Sequence, residues 1–572
     1  MENHESGKRK RDDSEQAVAD SSDGRLPKRK VAVMIGYYGR GYRGSQINPN
    51  SRTIEGTLLD AFVSAGCITK DNASHPSKVG LQRAARTDAN VSACCNLISL
   101  KLILTPAQLV QKDDQNQQQE HEKDDSLQKS LIEEHSKTSY YPLIRHINSF
   151  LPKHLKVWEI IRVQKSFNPR AFCDSRVYEY SLPTWLFLPP KPGSPLSERL
   201  NLDQQQDHDD PETNWWKDHS DLLEKDFKSI QVEKRASYRI SQLMISRIQS
   251  VLDQFKGTHN FHNLTVGKAF TEKNAVRIMK DFNISKPFLV QEDTVKSSHQ
   301  KPLETSKTEW ISITFHGQSF MLHQIRKMIG LLVLVCRTRT PITIVKQLYG
   351  PKKVSIPKAP GIGLILRKLN FHGYNKKVQQ MNQQSLKRKN KRKKGASQED
   401  DDQEIMWDSI DCDRFEALFE HFKMHTLAKK IFVNHVSHAA DDELPASKPS
   451  PTATALNLAD LDTHKEEEDG KKGEDDKKGE DTKKEEDNKK EEKKSNLDIP
   501  PSIKSPEPIR ASNVNRGDGD DEDGNADEDD GDVVPPEKLE GEDPFGVWMN
   551  YLDVYTGSDL DFLNPDGVLP NK

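Results

Sequence analysis

The residues best placed to do chemistry lie in Arg83-Ala84-Ala85-Arg86-Thr87-Asp88-Ala89-Asn90-Val91-Ser92-Ala93, just before the apolar run Leu97-Ile98-Ser99-Leu100. A carboxylate at the mouth of a strand, two residues from an arginine, stays ionised and can serve as nucleophile or base. An Arg-x-Asp triplet by itself is more often an ordinary loop ion pair. Asp88 therefore needs support from elsewhere in the chain.

Two other groups can supply it. Arg176-Val177-Tyr178-Glu179-Tyr180 alternates, so Arg176, Tyr178 and Tyr180 share one face of a strand. A cation and two rings on one face can hold a phosphate and stack a base, or the rings can simply fill a core. From Phe320 to Cys336 the spacing predicts a helix. Leu322, Ile325, Ile329, Leu332, Val333 and Cys336 form its core face, with His323, Arg326, Lys327 and Gly330 on another. An arginine in so apolar a helix needs a buried partner. Asp88 is a candidate, and another carboxylate would serve equally. His259 and His262 read as polar loop residues, because no carboxylate or cysteine completes a metal site around them.

The elements that must position these groups occupy only part of the 572 residues. With 33% hydrophobic residues and a mean hydropathy of −0.83, much of the chain must be loop or disorder. The net charge of −4 hides a division: residues 1–440 hold 68 Lys and Arg against 50 Asp and Glu, and residues 441–572 hold 17 against 39. By formal count that is about +18 and about −22, a basic body with an acidic tail, which suits a polyanionic ligand. The six cysteines form no C-x-x-C pair, so reduced thiols inside a cell are the default. No apolar run approaches the roughly 18 residues of a membrane span, and no membrane partner is expected.

Residues 1–28 read as a disordered basic N-terminus. Lys8-Arg9-Lys10-Arg11 and Lys28-Arg29-Lys30 form a spaced pair of the nuclear-localisation kind. A core follows over 29–375, opened by the strand Val31–Ile35 and interrupted by polar insertions at about 112–137, 187–215 and 291–308. A basic linker at 376–403 carries Lys387, Arg388, Lys389, Lys391, Arg392, Lys393 and Lys394, a run that either extends an RNA-binding surface or directs nuclear import. An appended helix is predicted over 404–436 and a charged low-complexity tail over 437–541. In 542–572, Phe545, Trp548, Leu552 and Tyr555 recur at helical spacing. That segment either docks on the body or presents a partner motif on a tether.

Set in order, the motifs resemble the TruA family of pseudouridine synthases, and its eukaryotic nuclear multisite tRNA branch most. The matching pieces are Gly36-Tyr37 through Gly44-x-Gln46; Thr53-Ile54-Glu55-Gly56; Ala85-Arg86-Thr87-Asp88; Ile147-Asn148 with Leu151-Pro152; Phe167-Asn168; Cys173-Asp174-Ser175-Arg176-x-Tyr178-x-Tyr180; Gly257-Thr258-His259-Asn260-Phe261; the Phe320–Gly330 helix; and Pro360-x-x-Gly363-Leu364. The resemblance implies an α+β fold of two pseudo-symmetric α/β halves, with a mostly antiparallel sheet around a basic cleft. It implies isomerisation of uridine to pseudouridine in tRNA by base flipping, in the nucleus, with no cofactor or metal; a monomer is the expected state, though no residue pattern sets it. Small nuclear RNA and messenger RNA stay open as further substrates. Asp88 would be the catalytic residue, Arg86 would help extrude the base and Tyr178 would stack on it. Arg326 would pair with Asp88, and Leu364 would pack near the base. A non-catalytic tRNA-binding or chaperone relative with the same cleft is the alternative. The main departure is Asn90, which stands where the family usually has glycine. If that position has positive φ, Asn is the best-tolerated substitute.

Overall fold

The computed structural model describes residues 26–106, 138–200, 202, 211–224, 232–291, 307–393, 406–433 and 543–555. The 112–137 insertion, most of 291–308 and the 437–541 tail lie outside them, as does the Lys8–Arg11 cluster. Ten strands run in chain order: β1 (Lys28–Tyr37), β2 (Gln82–Arg83), β3 (Ser92–Ile103), β4 (Leu155–Arg162), β5 (Ser175–Pro183), β6 (Gly257–Asn260), β7 (Val276–Ile284), β8 (Phe288–Gln291), β9 (Lys307–Gly317) and β10 (Leu364–Asn370). The longer helices used below are α1 (Ile54–Ser64), α2 (Tyr141–Asn148), α3 (Gln242–Asp253), α4 (Gln324–Arg337), α5 (His372–Lys393), α6 (Glu416–Phe422) and α7 (Pro544–Asp553).

All ten strands form one mixed sheet, in the order β4-β1-β3-β10-β5-β9-β7-β6, with β2 on β3 and β8 on β9. The fold is α+β. Val31 to Ile35 on β1 are buried on both faces, which is why that strand reads as a continuous apolar run. The strand starts earlier than the apolar run does, because Lys28, Arg29 and Lys30 pair with Ile103, Leu102 and Lys101.

The join at the middle of the sheet positions the site. β3 and β10 pair in parallel, Ser92 beside Ile365 and Ala93 beside Leu366, whereas the other strand pairs are antiparallel. Parallel strands begin at the same end, so the loop carrying Asp88 and the segment before Leu364 emerge side by side. β9 runs antiparallel to β5 and ends with Gly317 opposite Arg176, which delivers the turn 318–323 and then α4 to the same place. Every residue of α4 is buried.

Three further elements brace this arrangement. Thr53 caps α1 by accepting from the Gly56 N–H at 3.2 Å, and the buried Glu55 in the first turn pairs with Arg83 of β2. On α6, Phe419 and Phe422 pack on Trp158 of β4 at 6.1 and 5.2 Å between ring centroids. Arg367 of β10 reaches Glu416 and Glu420 of α6, and Lys423 reaches Glu179 of β5 at 2.8 Å. On α7, Phe545, Trp548, Met549 and Leu552 are fully buried, and ion pairs Arg235–Asp543 and Arg337–Asp553 flank the helix. The aromatic segment thus docks on the body. Phe432 and Phe545, from either side of the long acidic stretch, both pack edge-on against Trp310 at 4.7 and 5.7 Å.

Candidate active site

The Asp88 loop is fastened on both sides. Tyr37 and Thr87 share a hydroxyl–hydroxyl bond of 2.8 Å, and Asn96 donates to the Tyr37 oxygen and to the Ala85 carbonyl. Ser45 accepts from the Thr87 N–H at 2.9 Å and gives its own N–H to the Thr87 carbonyl at 3.0 Å. Gly44 makes that approach possible: its φ is +95°, and a Cβ there would stand 3.1 Å from the Thr87 carbonyl oxygen. The loop closes in a turn, with the Val91 N–H on the Asp88 carbonyl, and Asn90 adopts φ +64°. The residue that departs from the family pattern therefore sits in the left-handed region, where Asn is tolerated. Asn90→Ala is expected to cost about 1 kcal/mol and Asn90→Gly less than that, compared by denaturant midpoints. Equal losses would show that φ is not what the position selects.

Asp88 meets the start of α4. The His323 Nδ1–H donates to Asp88 Oδ2 at 2.9 Å, and Arg326 Nη1 lies 3.5 Å from the same oxygen. Arg326 is 1% exposed and gives its Nε–H to the Ala359 carbonyl at 2.7 Å, which fixes the guanidinium. Burial alone would favour the neutral acid. The His323 hydrogen bond and the charges of His323 and Arg326 outweigh it and lower the Asp88 pKa from 3.8 to about 2. The carboxylate is ionised at neutral pH, and the positive end of α4 adds to that preference. Its side chain is 19% exposed, so it is open to a ligand.

The other expected residues divide. Tyr178 is nearly buried beside the site, edge-on to Phe320 at 5.2 Å, and burial pushes its phenol well up. Arg86 is exposed on the Asp88 loop, and Leu364 opens β10 opposite Tyr180. Arg176 and Tyr180 are corrections. Tyr180 is fully buried with its hydroxyl on the Pro360 carbonyl at 2.8 Å, so it is a core residue and not a surface for RNA. Arg176 is buried too, and donates to the carbonyls of Ala84 and Gln318 at 2.9 and 2.8 Å. It clamps the Asp88 loop to the turn before α4 instead of offering its charge to phosphate. Lys387 and Arg388 are exposed near the end of α5; Lys389, Lys391, Arg392 and Lys393 continue that helix, and Lys394 lies outside the described residues.

The helix itself begins later than its apolar spacing predicts. His323 has φ +57° and stands as the cap before Gln324, so Leu322 falls outside the helix and is 45% exposed instead of in the core. Sequence reading placed His323 on the helix face that carries Arg326 but gave it no role; its spacing of three from Arg326 was the available signal. His259 stacks on Tyr349 at 4.2 Å, and no cluster of three or more potential metal ligands occurs among the described residues. No helix among them is long and apolar enough to cross a membrane.

An ionised aspartate held against a helix start, with a buried tyrosine beside it and an arginine on its own loop, has the features of a candidate active site. The family described as tRNA pseudouridine synthase matches residues 251–372, from the end of α3 through β10. "tRNA pseudouridine synthase 1" of Kluyveromyces lactis is 35% identical, over 74% of this chain and 72% of its own length. The proteins of the same name from Saccharomyces cerevisiae and Schizosaccharomyces pombe are 38% and 33% identical, over 63% and 71% of this chain and 65% and 80% of their own lengths. The chain belongs to the tRNA pseudouridine synthase family.

Proposed function

We propose that this enzyme isomerises uridine to pseudouridine in tRNA by flipping the target base out of its stack and working on it at Asp88. The N1–C1′ bond breaks, the detached uracil turns, and a C5–C1′ bond forms. A proton then leaves C5, and N1 gains one. Substrate and product are isomers, so the balance needs no redox partner and no transferred group, and no cofactor is invoked.

Asp88 either bonds to the ribose or removes its 2′ proton. Both routes need a carboxylate, and the contacts of His323 and Arg326 with Asp88 Oδ2, which favour its ionised form, are the observation that carries the reading. A stacked uridine must leave the helix before C1′ can be reached, at a cost of a few kcal/mol. In this reading the exposed Arg86 fills the gap in the stack, Tyr178 stacks on the extruded uracil and Leu364 packs beside it. The strand order supports two related halves, because the first strand of each lies in the middle: β1 between β4 and β3, and β5 between β10 and β9. The excess of Lys and Arg over residues 1–440, with Lys387 and Arg388 exposed on α5, supports a basic cleft for tRNA. The basic cluster Lys8–Arg11 supports action in the nucleus, whereas Lys28, Arg29 and Lys30 belong to β1. The enzyme acts as a monomer, and small nuclear or messenger RNA fits the same site wherever it presents an extrudable uridine.

The test is Asp88→Ala assayed on tRNA with a chemistry specific for pseudouridine. Loss of product with tRNA binding retained is expected. Full retention of product would overturn the assignment, and absence of pseudouridine from the wild type would favour a non-catalytic tRNA-binding protein.

A further inference from the structure

The two side chains that meet Asp88 take the same oxygen. His323 Nδ1 and Arg326 Nη1 both approach Oδ2, and no described residue hydrogen-bonds Oδ1. A carboxylate can turn about its Cβ–Cγ bond and exchange its oxygens. Two donors fixed on one oxygen stop that exchange and leave the other with all its lone pairs.

The geometry of His323 supports this division of labour. It is one of four described non-glycine residues with positive φ, at +57°. A left-handed residue with a bulky side chain costs on the order of 1 kcal/mol, and such conformations persist where the surroundings dictate them, often at functional sites. Here the chain is pinned on both sides. Thr265 donates its hydroxyl to the Leu322 carbonyl at 2.9 Å, and the Lys327 N–H closes on the His323 carbonyl at 2.9 Å. The reversal ends the turn from β9, starts α4 one residue later and brings the imidazole to the carboxylate. Arg326 alone would be a loose hold at 3.5 Å, so the 2.9 Å contact from His323 sets the rotation.

We infer that His323 is a positioning residue: by holding Oδ2 it presents Oδ1 of Asp88 as the atom that acts on the substrate. This rests on the reading of Asp88 as the catalytic carboxylate. Two variants separate the hydrogen bond from the backbone. His323→Gly removes the ring while accepting positive φ without strain. His323→Asn also tolerates that region and keeps a short side-chain N–H near the position of Nδ1.

Turnover on tRNA is expected to fall roughly 10²-fold in His323→Gly, with KM within about twofold of wild type. Most of that loss should be recovered in His323→Asn. A purely structural role would lower thermal midpoint and tRNA affinity together and show no kcat-against-KM split. Wild-type kcat in His323→Gly, or equal losses in both variants, would overturn the positioning role. An active Asp88→Ala would instead bring down the Asp88 reading itself, so the two failures are distinguishable.

Discussion

Asp88→Asn is expected to lower turnover on tRNA by roughly 10³-fold or more while leaving tRNA affinity within about threefold. The amide keeps the size of the side chain and an oxygen for His323 and Arg326, so the loss measures charge and not shape. Removing a reacting group cannot be offset by binding elsewhere, because the remaining contacts act on the ground state and the transition state alike. The same variant carries a stability signature whose sign is fixed. The folded-state pKa of Asp88 lies below its ordinary value, at about 2 against 3.8. A group shifted that way contributes stability that is complete above the unfolded-state value and is lost as pH falls through the folded-state value. The shift is worth about 2 kcal/mol. Wild type should therefore lose about 2 kcal/mol relative to Asp88→Asn between pH 5 and pH 2, read from denaturant midpoints at stepped pH. A difference that stays flat over that range would mean the carboxylate is not held by His323 and Arg326 in solution.

What the sequence disclosed about this site was local. The Arg-x-Asp spacing beside an apolar strand marked Asp88, and the one unusual residue after it marked the position that proves to have φ +64°. Arg326 was legible because an arginine in an apolar helix asks for a partner. The misses share a different cause. Tyr180 and Arg176 alternate with Tyr178 as a binding face would, yet β5 lies inside the sheet between β10 and β9, and the groups that tie these two side chains down, the Pro360 carbonyl for Tyr180 and the Ala84 and Gln318 carbonyls for Arg176, come from segments far away in the chain. His323 was read as one more residue on a helix face, because 3.6-residue spacing says nothing about a left-handed residue that restarts the helix. The thread through the whole site is the parallel pairing of β3 with β10, residues 92–93 against 365–366, and no local pattern announces a contact across that separation.

Ending the chain before Asp543 is expected to abolish folding or lower the thermal midpoint by well over 10 °C, whereas replacing residues 437–541 with a short flexible linker should leave both midpoint and turnover near wild type. Four side chains of α7 are fully buried, Phe545, Trp548, Met549 and Leu552, each worth roughly 1.5–3 kcal/mol against exposure. The charges are as consequential. Arg337, the last residue of α4, is buried with its Nε–H on the Leu188 carbonyl, and its partner Asp553 lies at 2.5 Å. Arg235 is paired with Asp543 and lies over the Trp185 ring. Stripping a buried charge of its partner costs roughly 3–5 kcal/mol, so losing both acids together with the apolar face approaches the whole stability of a typical domain. The intervening segment is a different matter. Phe432 and Phe545 lie on the same Trp310, with centroid distances of 4.7 and 5.7 Å that place the two rings no more than about 10 Å apart. A linker of about ten residues spans that gap with slack. The comparison is made by thermal melts and by pseudouridine yield on tRNA. A chain ending before Asp543 that melts with wild type would show α7 to be an ornament on the body. Loss of turnover in the linker variant with an unchanged midpoint would move the acidic segment into the reaction itself. Because α4 begins at the residues that hold Asp88 and ends at the one that holds Asp553, a partial loosening of α7 should reach the carboxylate through a single helix.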